Sequence, residues 1–433
     1  MAELKRNELL DRREKSILVG VLLPDGNYNP DDPLDEIRGL AETAGVVVVG
    51  SMLQRRPQVD VTTYIGSGKV EELKAQVEAQ EADLVIFDND LGPAQTRNLE
   101  RLLGVKVIDR TEVILDIFAT HARTHEAHLQ VELAQLEYAM PRLKRMWTHL
   151  SRYKGGIGVR GPGEKQLEED RRLVMHRIQD LKNKLEKVQA RKEREVAGRV
   201  GASTISLVGY TNAGKSTLMN ALTGAGVVVE DKLFATLDTR TRRWPIHGGG
   251  YVLLSDTVGF IRNLPHSLVA SFKATLEEAR QADLLLHVVD ASSPEAESQI
   301  KAVKEVLDEL GLADHPTVLV LNKIDRVPDR SYLDVLRAHH AEAVPVSAAR
   351  GEGLEQLEQA VRSALHERAL EAEVETGVGN GRVLAYLAQH AQIRDRSYDE
   401  DRVLLRCRLP RRCVNFLHEH GAQVRTNGER LYA

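Results

Sequence analysis

The segment Gly209-Tyr210-Thr211-Asn212-Ala213-Gly214-Lys215-Ser216-Thr217 constrains this chain more than any other. It fits the pattern G-x-x-x-x-G-K-[ST], with the apolar run Ile205-Ser206-Leu207-Val208 before it and a helical stretch from Thr217 to Leu222 after it. A strand, a glycine-rich turn and a helix N-terminus in that order make a phosphate cradle. The glycines let backbone N–H groups wrap a β-phosphate, and the helix end adds its positive potential. Lys215 is placed to neutralise β- and γ-phosphate oxygens, and the Ser216 hydroxyl to ligate Mg²⁺. This pattern implies a nucleotide without saying which.

The base is indicated further along. Asn322-Lys323-Ile324-Asp325 follows the apolar strand Val318-Leu319-Val320-Leu321. Guanine presents N1–H and a 2-amino group side by side, and one carboxylate, Asp325, can accept both. Adenine would leave that carboxylate desolvated and unpaired. The Lys323 stem can lie over the base while Asn322 braces the loop. Ser347-Ala348-Ala349 follows another short apolar run, and its N–H groups can meet the guanine carbonyl. Between cradle and base, Asp256-Thr257-Val258-Gly259 follows the strand Val252-Leu253-Leu254-Ser255. There Asp256 can hold Mg²⁺ through water, and Gly259 can offer its N–H to a γ-phosphate. Phe234-Ala235-Thr236-Leu237-Asp238 lies between cradle and Asp256, where a threonine is needed to complete the metal shell. On spacing alone Thr236, Thr239 and Thr241 compete for that role. The ligands expected are GTP and GDP.

The remaining chain reads as further α/β and helical structure. Apolar runs at 17–23, 46–49, 84–87 and 105–108 alternate with helical patterns at 35–44, 70–80 and 94–103, which predicts a small, mainly parallel α/β domain. Leu129, Leu133, Leu136, Met140, Leu143 and Trp147 form a heptad-like stripe, as do Leu167, Val174, Ile178, Leu181, Leu185 and Val188. Between them, residues 155–163 hold five glycines and a proline, so the two stripes fold back as an antiparallel hairpin with a glycine-rich tip. Glu371 to Asn380 reads as a linker, and the tail after it as a small α+β unit. The expected fold is thus α/β and multidomain: an N-terminal α/β domain (1–110), a long helical hairpin (111–200), a P-loop domain with a doubly wound sheet (201–368) and a small C-terminal domain (369–433).

Charge and composition exclude several classes. The net charge of −5 over 433 residues hides a basic segment, because residues 141–200 carry 17 Lys and Arg against 8 acids. That suggests one nucleic-acid-facing element, centred on Arg152, Tyr153, Lys154 and Arg160 at the hairpin tip, rather than only a solvated helix. With 42% hydrophobic residues the chain can bury real cores. No apolar run reaches membrane-spanning length, and Cys407 and Cys413 are too few for a disulfide framework or zinc site, so the expected setting is cytoplasmic.

Taken with the five nucleotide motifs, the stretch Gly155-Gly156-Ile157-Gly158-Val159-Arg160-Gly161-Pro162-Gly163-Glu164 followed by Leu167-Glu168-Glu169-Asp170-Arg171-Arg172 resembles the HflX family of translation-factor-like GTPases. The resemblance runs from about residue 17 to 366 and is weaker in the tail. It implies Mg²⁺ on Ser216 and Thr236, with Lys215, Thr236 and Gly259 serving catalysis. It also implies K⁺ as a charge substitute near Asn212. It further implies binding to the large ribosomal subunit and its rRNA, and for several members splitting of ribosomes under stress. Thr239 stands where relatives often have proline, and Ser347-Ala348-Ala349 lacks the usual basic third residue, although Arg350 follows.

Phe260 stands after Gly259 where many GTPases carry a water-orienting glutamine. A phenyl ring cannot hydrogen-bond water, so slow intrinsic hydrolysis and a stimulating partner are expected. Packing is the plainer role for that ring. His121, His125 and His128 at helical spacing could be read as metal ligands, but a polar helix face is preferred. Gly66-Ser67-Gly68-Lys69 mimics a phosphate loop, yet reads better as a turn opening a helix. Two other classes compete with the switch: a P-loop ATPase or metabolic kinase, which Asp325 argues against, and a GTP-regulated adaptor whose hairpin binds protein.

Overall fold

A computed structural model describes residues 13–24, 28–29, 32–146, 162–197, 203–224, 233–234, 240–247, 250–262, 278–367, 370–399, 401–409, 413–426 and 429–430. It forms two compact units. One comprises Met1–Val188, Val229–Asp238 and Val258–Thr275; the other comprises Gln189–Val228, Thr239–Thr257 and Leu276–Ala433.

In the first unit, strands β1 (Lys15–Leu22), β2 (Val47–Arg55), β3 (Leu84–Phe87) and β4 (Lys106–Asp109) form one sheet in the order β2-β1-β3-β4. All neighbours are parallel. The central strands, β1 from Ile17 onward and β3 throughout, are apolar because helices cover parallel sheets on both faces. These helices are α1 (Asp35–Thr43), α2 (Ser67–Gln80) and α3 (Pro93–Leu103). Ile17, Val19, Val21, Val85 and Phe87 pack with Leu73 and Leu99. β2 is the edge strand and runs well past its apolar start, its second half alternating between buried Met52 and more exposed neighbours. Gly66 caps α2, in keeping with a helix-opening turn there.

Asp109 caps α4 (Arg110–His121), its Oδ1 accepting from the Glu112 N–H at 2.9 Å. The next residue, Arg110, is 2% exposed. Its guanidinium donates to Asp88 Oδ1 at 2.6 Å, to Glu36 Oε2 at 2.5 Å and to the Arg262 carbonyl at 3.1 Å. Arg262 in turn reaches Glu36 at 3.1 Å. Burial pushes the Asp88 carboxyl above its ordinary range, against the pull of Arg110.

The three histidines do not share one helix face. The chain leaves helical geometry at Ala122, and Thr124 caps a new helix, α5 (His125–Met146), through its Oγ1 and the Ala127 N–H at 3.1 Å. His121 ends α4 with its Nδ1 against the Ile117 carbonyl at 2.8 Å. The long helix α6 starts at Pro162 and runs to Ala197; proline suits a first turn, where its missing N–H has no helical partner. Leu129, Leu133 and Leu136 of α5 meet Ile178, Leu181 and Leu185 of α6 along one apolar seam. Arg177–Glu132 and Lys182–Glu137 pairs flank it.

In the second unit, β5 (Thr204–Gly209), β6 (Arg240–Pro245), β7 (Tyr251–Asp256), β8 (Leu284–Asp290), β9 (Thr317–Asn322) and β10 (Val344–Pro345) form a six-stranded sheet in the order β10-β9-β8-β5-β7-β6. It is parallel except for β6, an antiparallel edge strand. β6 was not expected: its sequence RTRRWP buries only Trp244, because an edge strand can leave most side chains in water.

The same unit carries a five-stranded antiparallel sheet. Its strands are β11 (Leu370–Gly377), β12 (Gln392–Asp399), β13 (Arg402–Leu409), β14 (Gln423–Thr426) and β15 (Glu429–Arg430), in the order β12-β13-β11-β14-β15. The expected linker at 371–380 is therefore corrected: most of it is the central strand of this sheet. Ala372, Val374 and Thr376 face inward, while Glu371, Glu373 and Glu375 face arginines of neighbouring strands. Glu373 accepts from Arg406 at 2.9 Å, and Glu375 pairs with Arg402 and Arg425. An alternating acidic strand looks like linker until its arginine partners are placed.

Arg110 bridges Glu36 and Asp88, and Arg262 reaches Glu36 as well. Removing Arg110 takes a buried charge partner from both carboxylates. Arg110→Met is expected to destabilise the first unit by about 3–5 kcal/mol. A urea midpoint unchanged from the parent would refute this.

Candidate functional site

The cradle starts where β5 ends. Gly209 has φ +151°, and a Cβ there would lie 2.2 Å from the Val288 carbonyl oxygen. Gly214 has φ +91°, and a Cβ there would lie 2.3 Å from Asn322 Nδ2. Both positions therefore require glycine. Asn212 takes a left-handed conformation at φ +59°, which asparagine tolerates. Lys215 opens helix α7 (Lys215–Thr223) and is buried. Its Nζ donates to the carbonyls of Gly209 at 3.1 Å and Tyr210 at 2.8 Å, drawing the loop into a ring around the amine. Burial lowers the Lys215 pKa to about 8, although the nearby Asp256 carboxylate opposes this.

Ser216 Oγ donates to Asp256 Oδ2 at 2.6 Å. A hydroxyl and a carboxylate so close are hard oxygen donors of the kind Mg²⁺ prefers. Thr257, next in the chain, is fully buried, and its Oγ1 donates to the Leu207 carbonyl at 2.6 Å. That bond fixes the end of β7 beside β5. Thr241, one of the three candidate threonines, lies in β6 with its hydroxyl 3.0 Å from Ser255 Oγ.

The segment Asn322 to Asp325 is equally ordered. Asn322 ends β9 and is 2% exposed. Its Nδ2 donates to the Ala213 carbonyl at 2.9 Å, and its Oδ1 accepts from the Ala348 N–H at 3.1 Å. One amide thus ties the cradle to Ser347-Ala348-Ala349. Lys323 is left-handed at φ +62°, and Ile324–Arg326 form a single 3-10 turn. Ser347 Oγ donates to Asp325 Oδ1 at 2.6 Å and holds that carboxyl below its usual range. The second oxygen, Oδ2, lies 3.9 Å from Arg350 Nε. Asp325 is therefore a braced carboxylate that can accept from an N1–H and a 2-amino group. Arg350 supplies a basic group just after the position at which Ser347-Ala348-Ala349 lacks one.

Gly209 to Thr217, Asp256 and Thr257, Asn322 to Asp325 and Ser347 to Ala349 belong to one unit. Val258, Gly259 and Phe234 belong to the other. Phe234 is buried and left-handed at φ +57°, its ring edge-on to Phe118 at 4.7 Å. Phe260 is 3% exposed, and Ile261 beside it is buried too. Ala235, Thr236, Leu237 and Asp238 lie outside the described residues, as do Arg152, Tyr153, Lys154 and Arg160. Nothing in the sequence marked Arg262, whose carbonyl and guanidinium meet Arg110 and Glu36 three residues beyond Gly259.

Three family descriptions match consecutive stretches of the chain. Residues 31–119 match the N-terminal region of GTP-binding GTPases and residues 121–199 their middle region. Residues 204–323 match the family described as 50S ribosome-binding GTPase. A protein named GTPase HflX from Caldanaerobacter subterraneus subsp. tengcongensis is 43% identical over 95% of each chain. The GTPase HflX of Magnetococcus marinus is 49% identical over 85% of this chain and 86% of that one. That of Escherichia coli K12 is 46% identical over 92% and 94%.

The Lys215 amine is expected to titrate near pH 8 in the nucleotide-free chain, read by NMR of ¹³C-methylated lysines. Its folded value lies below the ordinary lysine value of about 10.4. The unfolded chain then holds more protons across that window, so stability rises with pH between the two values. Asp256→Asn should push the titration lower. A lysine spectrum with every resonance in the ordinary range would contradict the burial of this amine.

Proposed function

Because the chain belongs to the HflX family of GTPases, we propose that it is a GTP-hydrolysing switch acting on the large ribosomal subunit. That it is a GTP-binding GTPase follows from the family. The observation supporting guanine recognition at this site is the Asp325 carboxylate, braced by Ser347, on a loop that Asn322 joins to the phosphate cradle.

In this reading Gly209 to Thr217 wrap the phosphates, and the buried Lys215 amine turns from loop carbonyls to β- and γ-oxygens. Ser216 and Thr236 would hold Mg²⁺, with Asp256 beside them, and K⁺ near Asn212 would add further positive charge. The metal, when bound there, would supply charge stabilisation to the phosphate oxygens. Water attacks the γ-phosphorus, the bond to the bridging oxygen breaks, and GDP and phosphate leave. Gly259 contacts the γ-phosphate before cleavage and loses that partner afterwards, so the segments at Thr236 and Gly259 relax. Phe260 is buried and offers the water no hydrogen bond, so hydrolysis by the chain alone is slow.

The ribosomal part rests on the description of the family matching residues 204–323 and on the basic segment 141–200. The hairpin tip, with Arg152, Tyr153, Lys154 and Arg160, meets rRNA by phosphate contact and stacking. The N-terminal α/β domain docks beside it. If the GTP form prefers a free subunit to the joined particle, it drives dissociation by population shift. The setting is the cytoplasm; among the described residues no helix is long and apolar enough to cross a membrane.

Asp325→Asn is expected to lose guanine preference and gain binding of xanthine nucleotides in a competition assay. Retained preference for GTP over XTP, or ATP binding equal to GTP in the parent, would overturn the base assignment. Replacing Arg152, Lys154 and Arg160 together by Glu should abolish co-sedimentation with the large subunit while sparing GTP affinity. Persistent co-sedimentation would refute the tip as the rRNA contact.

A further inference from the structure

Asp290 belongs to none of the nucleotide motifs, yet it is built into their geometry. It is the last residue of β8 and lies in register with Asn322 at the end of β9. Its Oδ1 accepts two bonds from Ser292, from the backbone N–H at 3.0 Å and from the hydroxyl at 2.6 Å. These fix the plane of the carboxylate and leave Oδ2 facing Lys323 Nζ at 2.7 Å. The two side chains are 20% and 15% exposed, so the pair is partly shielded from water.

Lys323 has two features that call for such an anchor. Its backbone is left-handed without the freedom of glycine, a conformation that persists only where the surroundings over-determine it. Its side chain is long and would otherwise sample many rotamers. The stem also runs close to the cradle: a Cβ on Gly214 would lie 3.8 Å from Lys323 Cε. With the ammonium held by Asp290, the far end of the methylene stem lies beside Gly214 of the cradle. Such a stem presents a fixed apolar surface to the face of a planar ring.

We propose that Asp290 is a positioning residue for guanine nucleotide binding, acting through Lys323 to hold its stem as a preformed surface for the base. The inference rests on the reading of Asn322 to Asp325 as the base-recognition segment. Asp290 touches no part of the nucleotide in this scheme. Its effect is pre-organisation, which shows in affinity and release rather than in the chemical step.

The test uses the full chain carrying Asp290→Asn, Lys323→Met or both, with fluorescent GDP release by stopped flow, equilibrium binding of GDP and GTP, and steady-state hydrolysis. Asp290→Asn is expected to weaken GDP and GTP alike by about tenfold, equivalent to about 1.4 kcal/mol, mainly through faster release. The loss should appear in KM rather than kcat. The double variant should bind no more weakly than Lys323→Met alone, because the carboxylate acts only through that amine. Ser292→Ala should give a smaller loss of the same kind, and Asp290→Glu should retain most of the affinity. These two variants carry the test if Asp290→Asn fails to fold. Unchanged release in Asp290→Asn, or additive losses in the double variant, overturns the proposal. If Asp325→Asn loses guanine preference while Asp290→Asn releases GDP normally, only this inference fails. If Asp325→Asn keeps its guanine preference, the underlying base assignment fails instead.

Discussion

The two hydrogen bonds of the Asn322 side chain are the constraint on which the rest of the nucleotide unit depends. A primary amide has a donor end and an acceptor end, and here each is committed to a different loop: the donor to Ala213, the acceptor to Ala348. The group is buried, so losing either partner would leave a polar atom desolvated, a cost of about 1–3 kcal/mol. That penalty locks together loops leaving β5, β9 and β10, which lie far apart in sequence. It also dictates Gly214, since a side chain there would collide with the Asn322 amide. Aspartate could not replace Asn322, because it has no donor for the Ala213 carbonyl.

Much of this unit was legible in the sequence, for one reason. Phosphate cradles and base-reading loops rest on backbone conformations that few residue types permit, so glycine spacing and one carboxylate carry most of the information. The buried parallel strands were equally legible, because Ile17 to Leu22 or Leu84 to Phe87 cannot remain apolar throughout unless covered on both faces. Strands that keep one face in water were not. β6 shows water mostly arginine, and β11 shows glutamate. Their strand character comes from partners on other strands, Ser255 and Leu254 for β6, Arg406 and Arg402 for β11. The helix break at Ala122 was hidden too, since no glycine or proline marks it and only the Thr124 cap reveals it. The Arg110 cluster joins residues from positions 36, 88, 110 and 262, and no local pattern foretells such a meeting.

Between Asp256 and Arg262 the chain passes from one unit to the other. Asp256 and Thr257 are held in the nucleotide unit, by Ser216 and by the Leu207 carbonyl. From Val258 onward the chain belongs to the other unit, where Arg262 is bound through both its carbonyl and its guanidinium. Only four residues, Val258 to Ile261, separate these fixed points, and all four except the glycine have buried side chains. Burial of Phe260 is then a packing requirement of this stretch, whatever water-orienting role the position plays elsewhere. A phenyl ring suits that burial, where a glutamine amide would need hydrogen-bond partners of its own.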